Sequence, residues 1–191
     1  MMNTILRRSV LGIAGLALST GVVAGPLATL TDTTPAAAAV QVAKPDMDTL
    51  IPHGTQGMSR IDLGDEQVAN VKAIIEATKK AGMDERAAVV AIGTSLQESK
   101  LENLGHLGAR NDHDSQGLFQ QRPSSGWGSV EQITDPAYST TAFLNGLKQV
   151  EGWQDMPLTE AAQKVQVSAF PFHYAQWETQ AADLVAEHWT S

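Results

Sequence analysis

Apolar residues recur three or four positions apart in the first regularly patterned part of the chain. This spacing predicts a helix over residues 66–81, which Gly64 or Asp65 caps and Gly82 ends. The apolar face of this predicted helix consists of Val68, Val71, Ile74 and Ile75.

A second predicted helix starts at Asp84 and ends at Glu98. Its main buried face carries the large apolar side chains of Val89, Val90, Ile92 and Leu96. Small side chains at Ala87, Ala91 and Thr94 lie in line with Glu98 on an adjacent stripe. We therefore expect Glu98 to face a gap and not bulk solvent.

The remaining apolar pattern predicts three more helices, over 137–150, 159–169 and 175–189. Between 99 and 128, repeated glycines, Asn and Asp residues indicate loops, with a short hairpin near 118–121. A loop region of about 30 residues is unusually long for a compact domain unless it is functional. We expect a mainly α fold in which this glycine-rich region forms one side of a cleft.

The N-terminal residues 1–39 have the pattern of an export signal. Arg7 and Arg8 precede a mostly apolar stretch, and small residues follow at 37–39. A membrane anchor is the alternative, but Gly, Ser and Thr interrupt the stretch. Export by the general or the twin-arginine route stays open. We expect a secreted protein, with a linker or extended arm over 40–64 and one domain over 65–191.

Charge and composition narrow the function. Beyond residue 39 the chain has 11 basic and 20 acidic residues, a formal net charge of −9, so nucleic acid is not an expected partner. The absence of cysteine excludes thiol nucleophiles and cysteine-bound metals. The domain is expected to be a monomer without stable membrane insertion once the signal is removed.

Glu98 is the strongest candidate for chemistry. Cleavage of a glycosidic bond needs a carboxylic acid that is still protonated near neutral pH. Partial burial among small side chains and a position in the last helical turn both raise the pKa of a carboxyl. Without further support, a solvated Glu at a helix end remains the ordinary interpretation.

Two short motifs add that support. The first is Gln97-Glu98-Ser99, and the second is Gly117-Leu118-Phe119-Gln120, which begins 19 residues after Glu98. They resemble the Glu-Ser and Gly-Leu-Met-Gln motifs of soluble lytic transglycosylases and goose-type lysozymes, which belong to the lysozyme-like superfamily. The run 120–128 is also similar to secreted actinobacterial proteins of that superfamily. The resemblance implies a lysozyme-like domain that cleaves the MurNAc–GlcNAc bond of peptidoglycan, with Glu98 as general acid.

Candidate substrate-binding residues surround the acid, and the resemblance implies the role of Gly117 among them. Gly117 is expected to let backbone groups approach the sugar, and Trp127 to form a cleft wall on which a sugar ring stacks. For Tyr174, a place in the core and a place near the acid both stay open. The remaining candidates for substrate contact are Ser99, Leu118, Phe119, Gln120 and Gln121.

The second catalytic carboxylate is an open question. Goose-type lysozymes have an Asp where this chain has Arg122, so Asp112 or Asp114 supplies the carboxylate or none does. Hydrolysis and transglycosylation both remain possible outcomes. The run 112–117 imitates the start of a calcium loop, but Pro123 occupies the position of the bidentate Glu. We expect no metal and no cofactor. The rival function is a wall-binding module without turnover.

Overall fold

The computed structural model describes residues 44–54, 57–168 and 172–190. The expected export signal over 1–39 lies outside these residues, as do residue 169, at the end of the fourth predicted helix, and residue 171. Within the described ranges the predicted mainly α fold is confirmed. The helices are α1 (Met47–Leu50), α2 (Asp65–Lys80), α3 (Glu85–Ser99), α4 (Val130–Ile133), α5 (Pro136–Leu147), α6 (Leu158–Gln166) and α7 (Glu178–His188).

Short 3-10 helices join several of these elements, at Gly108–Arg110, Pro123–Ser125, Trp153–Asp155 and His173–Trp177. The last of them takes up the first residues of the helix predicted over 175–189, so α7 begins later than expected. In place of the predicted hairpin, the described residues form an isolated antiparallel bridge between Gln116 and Gln121. Within the described residues, the glycine-rich region therefore forms turns and contains no strand.

Helix α3 is the centre of the domain. All residues from Arg86 to Leu96 are buried, because α2, α6, α7 and the 3-10 helix His173–Trp177 pack around it. The sequence predicted one buried face beside a stripe of small residues. Those small side chains are also buried, since they allow the neighbouring helices to approach closely. Glu85 at the start of α3 and the C-terminal turn with Gln97 and Glu98 reach a partly open surface.

The described part of the segment predicted as a linker or extended arm packs on the domain. Asp46 caps α1 by accepting a hydrogen bond from the backbone N–H of Asp48. Leu50 and Ile51 belong to the hydrophobic core. Prolines at 45 and 52 concealed this short helix from the sequence pattern, because they bracket a segment too short to show helical periodicity.

A buried ion pair fastens α3 to α7. Arg86 Nη1 lies 2.7 Å from Glu178 Oε1, and both side chains are 3% exposed. The same guanidinium donates to the carbonyl oxygens of Leu50 at 2.7 Å and Met156 at 2.8 Å. One cation therefore joins α3, α1, α7 and the chain before α6, and its carboxylate partner offsets the cost of burying it.

We expect Glu178→Gln to lower the free energy of unfolding by about 3–5 kcal/mol, because it leaves Arg86 buried without its counter-charge. Chemical denaturation followed by circular dichroism measures this loss. The exposed pair of Glu76 and Lys80 on α2 is the matched control. Glu76→Gln should cost less than about 0.5 kcal/mol, and equal costs for the two variants would contradict the role assigned to the buried pair.

Candidate active site

The end of α3 places Glu98. Lys100 and Leu101 both adopt the left-handed conformation, with φ of 57° and 62°, which turns the chain sharply away from the helix. Gln67 Nε2 donates to Lys100 O at 2.7 Å, and Asn70 Nδ2 donates to Leu101 O at 2.9 Å. These contacts from α2 hold a turn that is unfavourable for residues other than glycine. Glu98 consequently lies in the last turn of α3, at the edge of the core.

The loop that carries the second motif is tied to this helix end. Ser99 Oγ donates to Leu118 O at 2.8 Å and is buried in the structure. Leu118 and Phe119 are fully buried, and the Phe119 ring stacks on Phe143 with centroids 5.0 Å apart. These three candidates for substrate contact thus pack the loop against the core, and they do not line the cavity described below.

Gly117 is required by packing. Its φ is 76°, and its N–H donates to Leu104 O at 2.7 Å. A Cβ atom at this position would lie 2.0 Å from Ile133 O, much closer than any real contact. The sequence predicted that this glycine lets a sugar approach the backbone. The structure shows that it lets the backbone at the end of α4 approach the loop; the approach of a sugar to Gly117 stays a prediction.

A cavity of about 720 Å³ opens beside Glu98. The glycine-rich region forms one side, as predicted, and the C-terminal end of α6 forms the other. Its lining residues are Glu98, Asp112, Ser115, Gln120, Gln121, Arg122, Ser125, Trp127, Val165, Gln166, Val167 and Ser168. The cavity therefore brings together the candidate general acid Glu98, the candidate carboxylate Asp112 and the predicted aromatic wall, Trp127.

The Glu98 carboxyl is half-buried and hydrogen-bonded. Tyr174, which is fully buried, donates its hydroxyl to Glu98 Oε1 at 2.6 Å. Burial raises the pKa of Glu98 above its ordinary value, and this effect outweighs the lowering by Tyr174, Gln166 and Lys100. Burial and the nearby Glu98 carboxyl also raise the pKa of Tyr174. Tyr174 is thus both a core residue and a partner of the acid.

Asp112 lies at the cavity but is engaged by two neighbours. Its Oδ1 is 2.6 Å from His113 Nδ1, and its Oδ2 accepts from Arg122 Nη2 at 2.5 Å. Arg122 is in turn fixed by Nε donating to Ser115 Oγ at 2.9 Å. The hydrogen bond to His113 and the Arg122 charge lower the pKa of Asp112. Asp112 is therefore an ionised carboxylate with both oxygens in contact.

Asp114 holds the loop and does not line the cavity. Its Oδ2 accepts from the Ser124 backbone N–H and its Oδ1 from Ser124 Oγ, both at 2.8 Å. These hydrogen bonds lower the pKa of Asp114. They fasten the start of the motif region to the 3-10 helix Pro123–Ser125, which precedes Trp127.

Gln120, the last residue of the motif, and its neighbour Gln121 differ in how firmly their side chains are held. Gln121 is buried, and its Nε2 donates to Ser139 O at 3.1 Å, so it anchors the loop to α5. Gln120 is half-buried in the left-handed conformation, and its Nε2 donates to Gly117 O at 3.0 Å. Gln120 and the partly exposed Trp127 are the predicted contact residues best placed to meet a ligand in the cavity.

Residues 165–168 form a wall of the cavity that the sequence did not predict. Gln166 Nε2 donates to Phe119 O at 2.8 Å, which fastens the end of α6 to the motif loop. Val167 ends α6 in the left-handed conformation and is 80% exposed. The apolar pattern predicts a helix over 159–169, which gives residues 165–168 ordinary helical positions. No local signal marks an early helix end at a β-branched residue.

In the part of the chain that the structure describes, no group of three or more His, Asp or Glu side chains is arranged to hold a metal ion. Nor does any helix in that part have the length and apolar character to cross a bilayer. The chain matches no protein-family model and no curated protein. The function must therefore be inferred from the residues around Glu98 and the cavity.

We expect Tyr174→Phe to raise the pKa of Glu98 further, because it keeps the ring buried and removes a hydrogen bond that stabilises the ionised carboxylate. A ¹³C NMR titration of the glutamate side chains measures this change, with Glu98→Gln identifying the resonance. Tyr138→Phe is the matched control and should leave the pKa unchanged. A lowered pKa in Tyr174→Phe would contradict the assigned hydrogen bond.

Gly117→Ala should destabilise the protein more than Gly126→Ala. Both glycines have positive φ, which costs an alanine about 1–2 kcal/mol. Only Gly117 adds a clash, since a Cβ at Gly126 would have open space within 4 Å. Thermal unfolding of the two variants compares them. Equal loss of stability would show that close packing of the motif loop is not what requires Gly117.

Proposed function

We propose that the protein is a secreted, lysozyme-like enzyme that cleaves the MurNAc–GlcNAc β-1,4 bond of peptidoglycan, with Glu98 as general acid. The observation that carries this proposal is the half-buried Glu98 carboxyl, whose pKa is raised, at a cavity of about 720 Å³. Cavities of about 300–1,000 Å³ are typical of ligand sites. The order and separation of the two motifs support peptidoglycan as the substrate.

The first step is proton donation. Protonated Glu98 gives its proton to the glycosidic oxygen as the bond to C1 of the muramoyl sugar breaks. Glu98 becomes a carboxylate, and the hydrogen bond from Tyr174 stabilises that charge in a partly dry site. Tyr174 thereby favours the product of proton transfer, while burial of the carboxyl keeps the proton in place beforehand.

The second step favours an intramolecular nucleophile. A carboxylate is a weaker base toward water when neighbouring donors and cations lower its pKa. Both oxygens of Asp112 contact His113 or Arg122, and Asp114 is outside the cavity lining. Attack by the C6 hydroxyl of the muramoyl sugar on C1 then forms the anhydro bond. The hydroxyl proton returns to the Glu98 carboxylate, which completes the transglycosylase cycle.

The cavity walls fit a glycan. The Trp127 indole offers a flat apolar face for a sugar ring, and Gln120 offers an amide for hydrogen bonding to acetamido groups. The net charge of −9 beyond residue 39 disfavours nucleic acid as the substrate. Access to peptidoglycan follows from the export signal proposed for residues 1–39.

Glu98→Gln should reduce clearing of a peptidoglycan suspension by about 100- to 10,000-fold, because the amide has no proton to donate. Asp112→Asn should retain activity within a few-fold, since no step depends on Asp112 as a base. Turbidity measures both rates, and mass spectrometry of the released muropeptides should find anhydro ends.

Three results would count against this function. Binding of peptidoglycan without clearing by the unmodified protein would favour a wall-binding module. Full activity in Glu98→Gln would remove the general acid. Reducing ends, together with loss of activity in Asp112→Asn, would show that the enzyme hydrolyses its substrate with Asp112 as base.

A further inference from the structure

Residues 57–61, here called the strap, lie along two elements that come after the last cavity residue in the sequence. Hydrogen bonds join the strap to the 3-10 helix His173–Trp177 and to α7: Thr179 Oγ1 to Gly57 O at 3.0 Å, Ser59 N to Gln176 O at 3.0 Å, Ile61 N to Gln180 Oε1 at 3.1 Å, and Gln180 Nε2 to Ile61 O at 2.7 Å. Arg60 and Asp183 form an ion pair beside them.

The strap touches the backbone of the 3-10 helix at Gly57. A Cβ atom there would lie 2.3 Å from Gln176 Cα and 3.1 Å from Ala175 O. Backbone atoms cannot move aside as a flexible side chain does, so only glycine allows this approach. Contact of this closeness means that a displacement of the strap is transmitted directly to the 3-10 helix.

That 3-10 helix also contacts the end of α3. Tyr174 contacts Glu98, while Gln176 Nε2 and Trp177 Nε1 donate to Gln97 Oε1 at 3.0 Å and 2.9 Å. Ser59 Oγ donates to Gln176 Oε1 at 2.9 Å. Because this bond fixes the oxygen of the Gln176 amide, its nitrogen points at Gln97, the neighbour of the acid.

We propose that the strap positions the catalytic acid by clamping the 3-10 helix His173–Trp177 against the end of α3, with Gly57, Ser59 and Gln176 as positioning residues. This inference rests on the proposed function. A 3-10 helix has poorer internal hydrogen bonds than an α-helix, so its contacts with the strap and with α3 determine its place. The strap therefore holds the Tyr174 hydroxyl at hydrogen-bond distance from Glu98.

Gly57→Ala in the full-length protein tests the clamp. The added methyl group pushes the strap and the 3-10 helix apart, which weakens the bond from Tyr174 to Glu98 and raises the pKa of the acid. The alkaline limb of the pH–rate profile should move to higher pH, and kcat should fall about 10- to 100-fold through misplacement of the carboxyl. The charged groups near Glu98 are Asp112 and Lys100, and Lys100 Nζ lies 4.6 Å from the centroid of the Trp177 ring in the same 3-10 helix. Loss of that contact would move the pKa of Glu98 in the same direction, because the Lys100 charge lowers it.

Two further variants make the test specific. Ser59→Ala should move the limb in the same direction but less, while Met58→Ala should leave it unchanged, because Met58 is 78% exposed beside the strap contacts. Adding Tyr174→Phe to Gly57→Ala should produce no further movement, since both act on one hydrogen bond. Thermal unfolding identifies any variant that fails to fold.

A folded Gly57→Ala protein with an unchanged pH limb would overturn the proposal, whether or not kcat falls, because a merely structural role lowers activity without moving the limb. The pKa of Glu98, titrated by NMR in the same variants, is measured without turnover. If the unmodified protein cleaves no peptidoglycan, the proposed function fails; a pKa of Glu98 that still moves in Gly57→Ala would then support the strap alone.

Discussion

Desolvation of one carboxyl group is the constraint on which the site depends. Glu98 lies at the end of a helix enclosed by its neighbours, so its carboxyl cannot be fully hydrated. Burial alone favours the neutral acid, whereas the Tyr174 hydroxyl and the Lys100 charge favour the anion. Because burial is the larger effect, the pKa of Glu98 is raised above its ordinary value, and the same two partners would stabilise the charge in the proposed proton transfer.

The internal contacts of the second motif hold its loop against the core. Gly117 allows the backbone at Ile133 to approach, Leu118 accepts a hydrogen bond from Ser99, and Phe119 packs in the core. Their combined effect is to fix the loop against the helix that carries the acid.

Helical periodicity predicted α2 and α3 to within two residues, because each begins at a capping residue and has a regular apolar pattern. The placement of Glu98 beside a gap also followed from that pattern. The contacts of Asp112 and Asp114 could not be predicted in this way. The sequence pattern of a loop does not show which of two nearby carboxylates contacts Arg122 and which contacts Ser124. The roles of Gly57 and Gln166 depend on contacts between distant parts of the chain, which no local pattern contains.

The most direct test is the proton affinity of Glu98 in the unmodified protein, compared with that of the same glutamate in a short unfolded peptide spanning 95–101. A ¹³C NMR titration of both samples gives the two pKa values under identical conditions. The structure predicts a higher pKa in the folded protein than in the peptide. A folded-state pKa equal to or below that of the peptide would show a solvated carboxylate at this position and would contradict its role as the general acid.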